Sequence, residues 1–507
     1  MKQRKGRNMP VVTMNDVSYT VPSGTRLGTL LAREGKIGMP CGGQGRCGKC
    51  KVTATGALNR LTESEKRFLS PDEIARGIRL ACMTVIEGDC TVYVAGEKAP
   101  QIRIRGEMPK IRLQPAFITY GCAVDIGTTT LAACLYDTEG NMLAQASSRN
   151  PQAGWGADVI SRMDAALGGA KRELAEAVCR AVDALLLQLS ETAGIHSREI
   201  DGLVITGNTV MLHLLTETST EPLSHAPFTL LRKFGETVEA GALGLTAVEA
   251  VTGVYLPPCI SAFVGADLVT ALLASGIYEA PGIQMLTDIG TNGEMALLRD
   301  GQLYVCSTAA GPAFEGAGIS QGMQGKRGAI DRVFLQDNEL DVHVIGESAA
   351  EGICGSGIVD AIACLLESGQ IDETGYMDKE SILIAPSVAV TQKDVRMVQL
   401  AKSAVHAGIL TLLHMAGTGF GEVSNLLIAG GFGSYLNVEN AGRIGLIPCE
   451  MVPKVRAIGN AALSGAAMLL LNLEYRAACK KYADDAKEIE LSGNSFFADE
   501  YMARMMF

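Results

Sequence analysis

Apolar residues fall along this chain in two rhythms. Before residue 96 they come in short runs. Pro10–Met14 and Val17–Val21 read as a hairpin, Leu27–Glu34 as a short helix, and Val85–Ile86 with Cys90–Val94 as closing strands. After residue 118 the runs are longer, and several end in an acid followed by glycine. Gly121–Ile126 is an apolar strand with Asp125 near its end, and Gly127, Thr128, Thr129 and Thr130 turn the chain into a second strand, Leu131–Tyr136. Gln284–Asp288 repeats the design, followed by Ile289-Gly290-Thr291-Asn292-Gly293-Glu294 and a strand at Met295–Leu298. Leu268–Leu273 is a helical run. An apolar strand from Asn425 enters Gly430-Gly431-Phe432-Gly433-Ser434, and Gly459-Asn460 opens a helix of small residues. Between the two parts, residues 97–118 carry Pro100, Pro109 and Pro115 among charges. Prolines so spaced oppose both a helix and a central strand, so a semi-extended linker that lets the first part move is expected.

Composition narrows the classes. No run reaches the roughly 18 apolar residues of a membrane span, and the basic start MKQRKGRNMP has no apolar stretch after it. A cytoplasmic protein is expected, and there 14 cysteines are not a disulfide framework. Residues 1–100 hold 16 Lys and Arg against 9 Asp and Glu, whereas the rest holds 28 against 46. Part of the basic excess is a solvated tail, Lys2, Arg4, Lys5 and Arg7. Nucleic acid is not an expected partner: the basic residues are not interleaved with aromatics, and the bulk of the chain repels phosphate.

The basic part contains CGGQGRCGKC. Cys41, Cys47 and Cys50 have the spacing C-x5-C-x2-C, and Cys82 follows in RLACMTVI. Three clustered thiolates and one distant one suit a 2Fe–2S cluster, in which each iron takes two. Gly42, Gly43, Gly45 and Gly48 let such a loop adopt positive φ and bring N–H groups toward sulfur. Zinc is the rival, but structural zinc sites show paired C-x2-C knuckles or Cys/His pairs. Here there is one C-x2-C and no His before His196. Residues 10–96 resemble the β-grasp 2Fe–2S ferredoxins with the longer loop. That resemblance carries Cys41, Cys47, Cys50 and Cys82 over as ligands and leaves Cys90 as a core thiol. The remaining cysteines read as buried thiols.

The two acid–glycine–threonine turns present N–H and hydroxyl donors suited to phosphate, and Asp125 stands where it can hold Mg2+ through water. An ordinary β-turn is the plain alternative for one such turn; a pair of them is harder to dismiss. Their order, followed by IAGGFGS and GNAALSGA, resembles the ATPase superfamily of actin, sugar kinases and acetate kinases over residues 119–475. The resemblance implies phosphate turns at Asp125–Thr130 and Asp288–Asn292 (Gly127, Thr128, Thr129, Thr130, Gly290, Thr291 and Asn292) and an adenosine motif at Gly430, Gly431, Gly433 and Ser434. Asp267, in FVGAD, matches an acid that supplies the catalytic base in sugar kinases; a helix N-cap is the structural alternative. Glu315 is a second, weaker candidate, and Asn208 follows a strand beside the cleft.

The implied fold is an α+β β-grasp ferredoxin domain followed by an α/β two-lobed actin-like (ASKHA) ATPase domain. Residues 1–96 form the first (1–9 a basic tail) and 97–118 the linker. Residues 119–475 form the second, with lobes at about 119–262 and 263–458 and a helix 459–475 packing between them; 476–507 is a C-terminal extension. With NPQAGWGADVISRM and STAAGPAFEGAGI, the whole chain resembles the reductive activators of corrinoid proteins, although only the linker separates its two parts. Trp155 reads as a packing residue. The resemblance implies a 2Fe–2S cluster, ATP and Mg2+, with Asp125, Asp267 and Asp288 as catalytic acids. It implies ATP-dependent one-electron reduction of Co(II) to Co(I) on a corrinoid protein of a B12-dependent methyltransferase system. An electron donor protein or reductase and a homodimer are the further partners, with no membrane. A small-molecule kinase with a regulatory cluster and a non-catalytic redox sensor are the alternatives.

Overall fold

The computed structural model describes residues 9–14, 17–33, 37, 39, 43–46, 48–94, 106, 108–336 and 339–507. The first part contains β1 (Val11–Met14), β2 (Val17–Thr20), α1 (Leu27–Arg33), β3 (Lys51–Leu58), α2 (Glu63–Phe68), α3 (Pro71–Ala75), β4 (Ile78–Leu80) and β5 (Ile86–Tyr93). The sheet runs β2-β1-β5-β3-β4, with β1 and β5 parallel. This is the β-grasp order, and α1 fills its concave side with Leu27, Leu30 and Leu31. The expected closing strands are one continuous β5. Residues 51–80, without assigned elements in the sequence reading, form β3, two short helices and β4. Thr62 with Glu65, and Ser70 with Glu73, form reciprocal capping boxes that start those helices. Glu65 is fully buried because Arg79 meets it at 2.8 Å, the pairing a buried carboxylate needs.

The larger part is built twice on one plan. The first lobe holds β6 (Tyr120–Ile126), β7 (Thr130–Asp137), β8 (Met142–Arg149), α4 (Val159–Ala165), α5 (Lys171–Ala193), β9 (Ile200–Gly207), α6 (Thr209–Leu215), β10 (Glu236–Glu239), α7 (Ala240–Leu243) and β11 (Gly253–Leu256). Then α8 (Ala266–Ser275) leads into the second lobe. That lobe begins with β12 (Ile283–Ile289), β13 (Gly293–Arg299), β14 (Gln302–Thr308), β15 (Ala329–Gln336), β16 (Glu339–Val344), β17 (Gly352–Ile353), α9 (Gly355–Glu367), β18 (Ser381–Ala385), β19 (Val388–Thr391) and α10 (Gln392–Ala416). It ends with β20 (Val423–Ala429), α11 (Val438–Arg443), β21 (Val455–Gly459), α12 (Ala461–Leu471), α13 (Tyr475–Asp485), β22 (Lys487–Glu488) and α14 (Ser495–Ala503). The first sheet runs β10-β11-β9-β6-β7-β8 and the second β21-β20-β12-β13-β14-β22. In each, an antiparallel meander is extended by two parallel strands, so the acid-bearing strands β6 and β12 occupy equivalent positions.

Between the sheets lie α8 and α12 in a shared apolar core with residues of both, including Ala123, Val204, Leu286 and Leu427. The expected helix 459–475 is two helices, because the chain turns extended at Asn472 (φ −149°). Residues after 475 are not an appendage: β22 pairs with β14, and the carbonyl of Met506 accepts from the buried Lys402. The linker expectation also needs correction in its second half. Met108, Ile111 and Phe117 pack into the core between the sheets, and the amides of Gln114 and Ala116 donate to Leu471 and Leu470 at 2.9 and 2.8 Å. Residues 95–105 and 107 lie outside the described residues. Among the described residues, no helix is long and apolar enough to cross a membrane.

The contact between α8 and α12 depends on Gly465. A Cβ there would overlap the carbonyl oxygen of Thr270. Gly465→Ala is expected to force the helices apart, costing about 1–3 kcal/mol. The check is a lowered thermal midpoint; a wild-type midpoint would mean that the helices separate freely.

Candidate functional site

The two lobes close on a cavity of about 270 Å3 lined by both acid–glycine–threonine turns. Each turn closes on itself. The amide of Gly127 donates to the Thr130 carbonyl, and that of Gly290 to the Asn292 carbonyl, both at 3.0 Å. This leaves Thr128, Thr129 and Thr130 facing Thr291 and Asn292 across the cleft. The third element arrives because β20 runs parallel to β12, setting Ala429 beside Asp288. Gly430 follows at φ +91°, and a Cβ there would sit 2.7 Å from Asp288 Oδ1, so glycine is required on both counts. Gly431, Phe432 and Tyr435 continue the wall, and Phe432 stacks on Phe314 with centroids 5.0 Å apart. Gly433 is a correction: it is not among the lining residues and packs against Ile428 of β20. Ser434 lies in the same turn, and its side chain is outside what is described.

Four acids share the floor. Asp125, Asp267, Asp288 and Glu294 all line the cavity, and no Lys or Arg is among the described lining residues. Burial pushes Asp125 up to about 6, against the pull of the Asn460 amide, which donates to it at 3.0 Å. Burial and then the charges of Asp125 and Asp288 push Asp267 up to about 7. Burial, Asp125 and Glu315 do the same to Asp288, also to about 7. Glu294, paired with Asp288 across β12 and β13, is raised well above its usual range by burial and by Asp267 and Asp288. Asp267 does not cap α8: Gly265 is the N-cap, and Asp267 lies in the first turn, accepting from the Leu268 amide at 2.9 Å.

Several groups hold the turns from outside. The Asn150 side chain donates to the Gly127 carbonyl, and the Asn150 amide to the Thr129 carbonyl, both at 2.9 Å. Arg162 is fully buried and donates to the Thr128 carbonyl at 2.5 Å and to the Gly156 carbonyl at 3.0 Å. Burial lowers it to about 10. Asn208 caps α6 and also donates to the Thr128 hydroxyl at 3.1 Å, so it serves both structure and cleft. Glu315 spans the lobes: it accepts from the Thr291 amide (3.0 Å), the Thr291 hydroxyl (2.9 Å) and the Thr129 hydroxyl. Glu294, Asn460, Asn150 and Arg162 were not foreseen as site residues. Asn460 had a signal, as an N-cap before a helix of small residues. Asn150 and Arg162 lie in NPQAGWGADVISRM, which carried the family resemblance without giving either residue a role.

In the ferredoxin part, Cys50 Sγ and Cys82 Sγ lie 3.2 Å apart, both buried. Cys50 ends the loop just before β3, and Cys82 sits in the turn Ala81–Met83. The Ala81 amide donates to the Cys50 carbonyl at 2.8 Å and fixes the pair. Gly43, Gly45 and Gly48 have φ of +76°, +66° and +65°. The neighbouring Cys50 and the Gly45 amide pull the Cys82 thiol down to about 7. A close buried pair with a backbone donor at sulfur fits two thiolate ligands of a cluster. Cys41 and Cys47 lie outside the described residues. Cys90 is a buried thiol of β5, raised by burial. The other described cysteines are buried except Cys449, which is exposed and so departs from the expectation. Trp155 packs against the core of the first lobe.

Comparison with known proteins identifies both parts of the chain. Residues 12–87 match the 2Fe-2S iron-sulfur cluster binding domain, 120–280 the RACo middle region, and 282–507 the C-terminal ASKHA domain of RACo. A relative in Eubacterium limosum, the corrinoid activation enzyme RamQ, is 37% identical over 420 residues, 76% of this chain and 70% of the relative. A reductase of Methanosarcina barkeri, specific for the Co(II) methylated-amine corrinoid protein, is 28% identical over 73% of this chain and 72% of its own. The solved structure of a reductive activator for a corrinoid, iron-sulfur protein superposes over 98% of both chains with a TM-score of 0.72 at 27% identity. The chain thus carries an iron–sulfur domain and a nucleotide-binding domain.

Two outcomes test the sites. Cys82→Ser is expected to abolish the visible absorbance of the cluster, and full retention would remove Cys82 from the ligand set. The cleft acids make stability depend on pH. With pKa values raised in the fold, they bind protons that the unfolded chain releases, so stability falls as pH rises from the ordinary 3.8 through about 7 and stays low above. Without divalent cations the thermal midpoint should drop across that window. Asp288→Asn should flatten the drop; an equally steep fall in that variant would locate the dependence elsewhere.

Proposed function

Because the chain belongs to the family of reductive activators of corrinoid proteins, we propose that it reduces the cobalt of a partner corrinoid protein from Co(II) to Co(I), with ATP hydrolysis, in a B12-dependent methyltransferase system. One observation carries the reading. A single chain joins a buried cysteine pair in a β-grasp module to a two-lobed cleft whose paired turns converge on four acids. The relatives are named as activation enzymes and a reductase, not as kinases.

Each part of the cleft has a task. The turns Gly127–Thr130 and Gly290–Asn292 offer amide and hydroxyl donors to the nucleotide phosphates. Gly430 and Gly431 admit the adenosine, with Phe432 and Tyr435 beside it. Asp125, Asp288 and Glu294 would hold Mg2+, since no described cationic side chain lines the cavity to offset them. Asp267, at the start of α8 beside Asp125 and Asp288, orients the attacking water. The 2Fe–2S cluster, when bound, supplies the single electron, which an external donor protein or reductase replaces. A plant-type cluster near about −400 mV facing an acceptor ~100 mV lower meets an uphill step of roughly 2.3 kcal/mol. Coupling between two sites is typically about 1–3 kcal/mol, so a nucleotide-driven change has the size required.

The test is anaerobic. The protein, a reductant, Mg-ATP and a Co(II) corrinoid protein are mixed and the cobalt absorbance followed. Co(I) should appear only when ATP is present. Cobalt that stays Co(II) while the cluster is reduced and ATP is hydrolysed would assign the protein to a different acceptor. Asp288→Ala should abolish ATP turnover and keep the cluster bands, whereas unchanged turnover would make the second turn structural.

A further inference from the structure

The ferredoxin module does not sit on one lobe. It rests across both, on NPQAGWGADVISRM of the first lobe and STAAGPAFEGAGI of the second. On the first lobe, the Met39 amide donates to the carbonyl of Ala153 at 3.3 Å. Gly154 meets Ala32 of α1 so closely that an added Cβ would overlap it. On the second lobe, the Lys49 ammonium donates to the carbonyl of Ile319 at 2.9 Å. Met39 precedes the cysteine loop and Lys49 lies within it next to Cys50, so one contact on each side of the loop goes to each lobe.

Both seats lead straight to a phosphate turn. Ala153 lies three residues from Asn150, whose amide and side chain hold the carbonyls of Thr129 and Gly127. Ile319 lies four residues from Glu315, whose carboxylate takes the amide and hydroxyl of Thr291 and the hydroxyl of Thr129. Those are the donors that nucleotide phosphates require. A phosphate and the Glu315 carboxylate are both anions, and they cannot use the same donors together. Filling the turns therefore expels Glu315 and shifts the loop that carries Ile319.

We propose that the ferredoxin module is seated across the two lobes through Ala153–Gly154 and Ile319, and that Glu315 is a latch which nucleotide phosphate displaces to release the module. The inference rests on the nucleotide reading of the cleft but not on the corrinoid acceptor, so its test uses no corrinoid and no turnover. Trp155, the single tryptophan, adjoins the Gly154 seat, and a 2Fe–2S cluster absorbs where tryptophan emits. Its emission is quenched while the module is seated and recovers as the cluster moves away.

The experiment takes the full-length, cluster-loaded protein and titrates it with Mg2+ and the non-hydrolysable analogue AMPPNP, following Trp155 emission and the heat of binding. Emission should rise to a plateau as the analogue binds. Gly154→Leu blocks the seat without touching the cavity lining, so it should show high emission from the start. Because coupling is reciprocal, it should bind AMPPNP more tightly, within the roughly 5- to 150-fold range typical of coupled sites. Glu315→Gln, which leaves the seat intact and weakens the latch, should raise emission before any nucleotide is added. Unchanged emission at saturating AMPPNP, or wild-type affinity in Gly154→Leu with its cluster absorbance intact, overturns the proposal. An absence of binding heat would overturn the nucleotide site itself, and the latch with it.

Discussion

Asp125, Asp267, Asp288 and Glu294 repel one another at the floor of the cleft, and two sheets and the first turn of α8 hold them there regardless. None of the four has a bonded cationic partner among the described residues, and the single amide that meets Asp125 comes from Asn460 at the head of α12. Such a cluster survives only if its carriers cannot relax. Asp288 and Glu294 face each other in strand register, and Asp125 is fixed within β6, paired on both sides. The relaxing force is resisted by the layer between the sheets. Every residue of α12 from Ala461 to Leu471 is buried, and each leucine among them contributes about 1.5–3 kcal/mol by leaving water. The interlobe core is thus the mechanical partner of the acid cluster, and protons held at raised pKa values ease its charge balance.

The duplicated plan was legible because acid, glycine and threonine recur at the end of two apolar strands, and strand pairing then dictates where those ends must meet. The cysteine loop was legible for a similar reason: spacing and glycines state a local geometry. What escaped was long-range. Glu315 was weighed only as a base, because nothing in GPAFEG shows that its carboxylate will reach both Thr129 and Thr291. Gly433 was assigned to the adenosine wall, whereas Ile428 fills the space beside it. Residues 108–118 read as free linker from their prolines, yet Met108, Ile111 and Phe117 find a shared apolar surface that only the assembled lobes create. Arg162 lies in NPQAGWGADVISRM, but nothing in that motif shows its burial, which follows from the carbonyls of Thr128 and Gly156.

The clamped second half of the linker shapes what a released module can do. Gly106 runs against the backbone of Ile458 and Asn460, and Gln114 is bonded to both Leu471 and Leu473 on either side of Asn472. Linker and nucleotide cleft therefore share α12: its first residue is preceded by the amide that holds Asp125, and its last turn holds the chain leading back to the ferredoxin. Met39 is bonded to the first lobe and Lys49 to the second, so the two contacts fit only one angle between the lobes. The connection to the ferredoxin is thus held on α12, while the module itself is held at Ala153 and Ile319, so both lobes and the layer between them meet the module or the chain that leads to it.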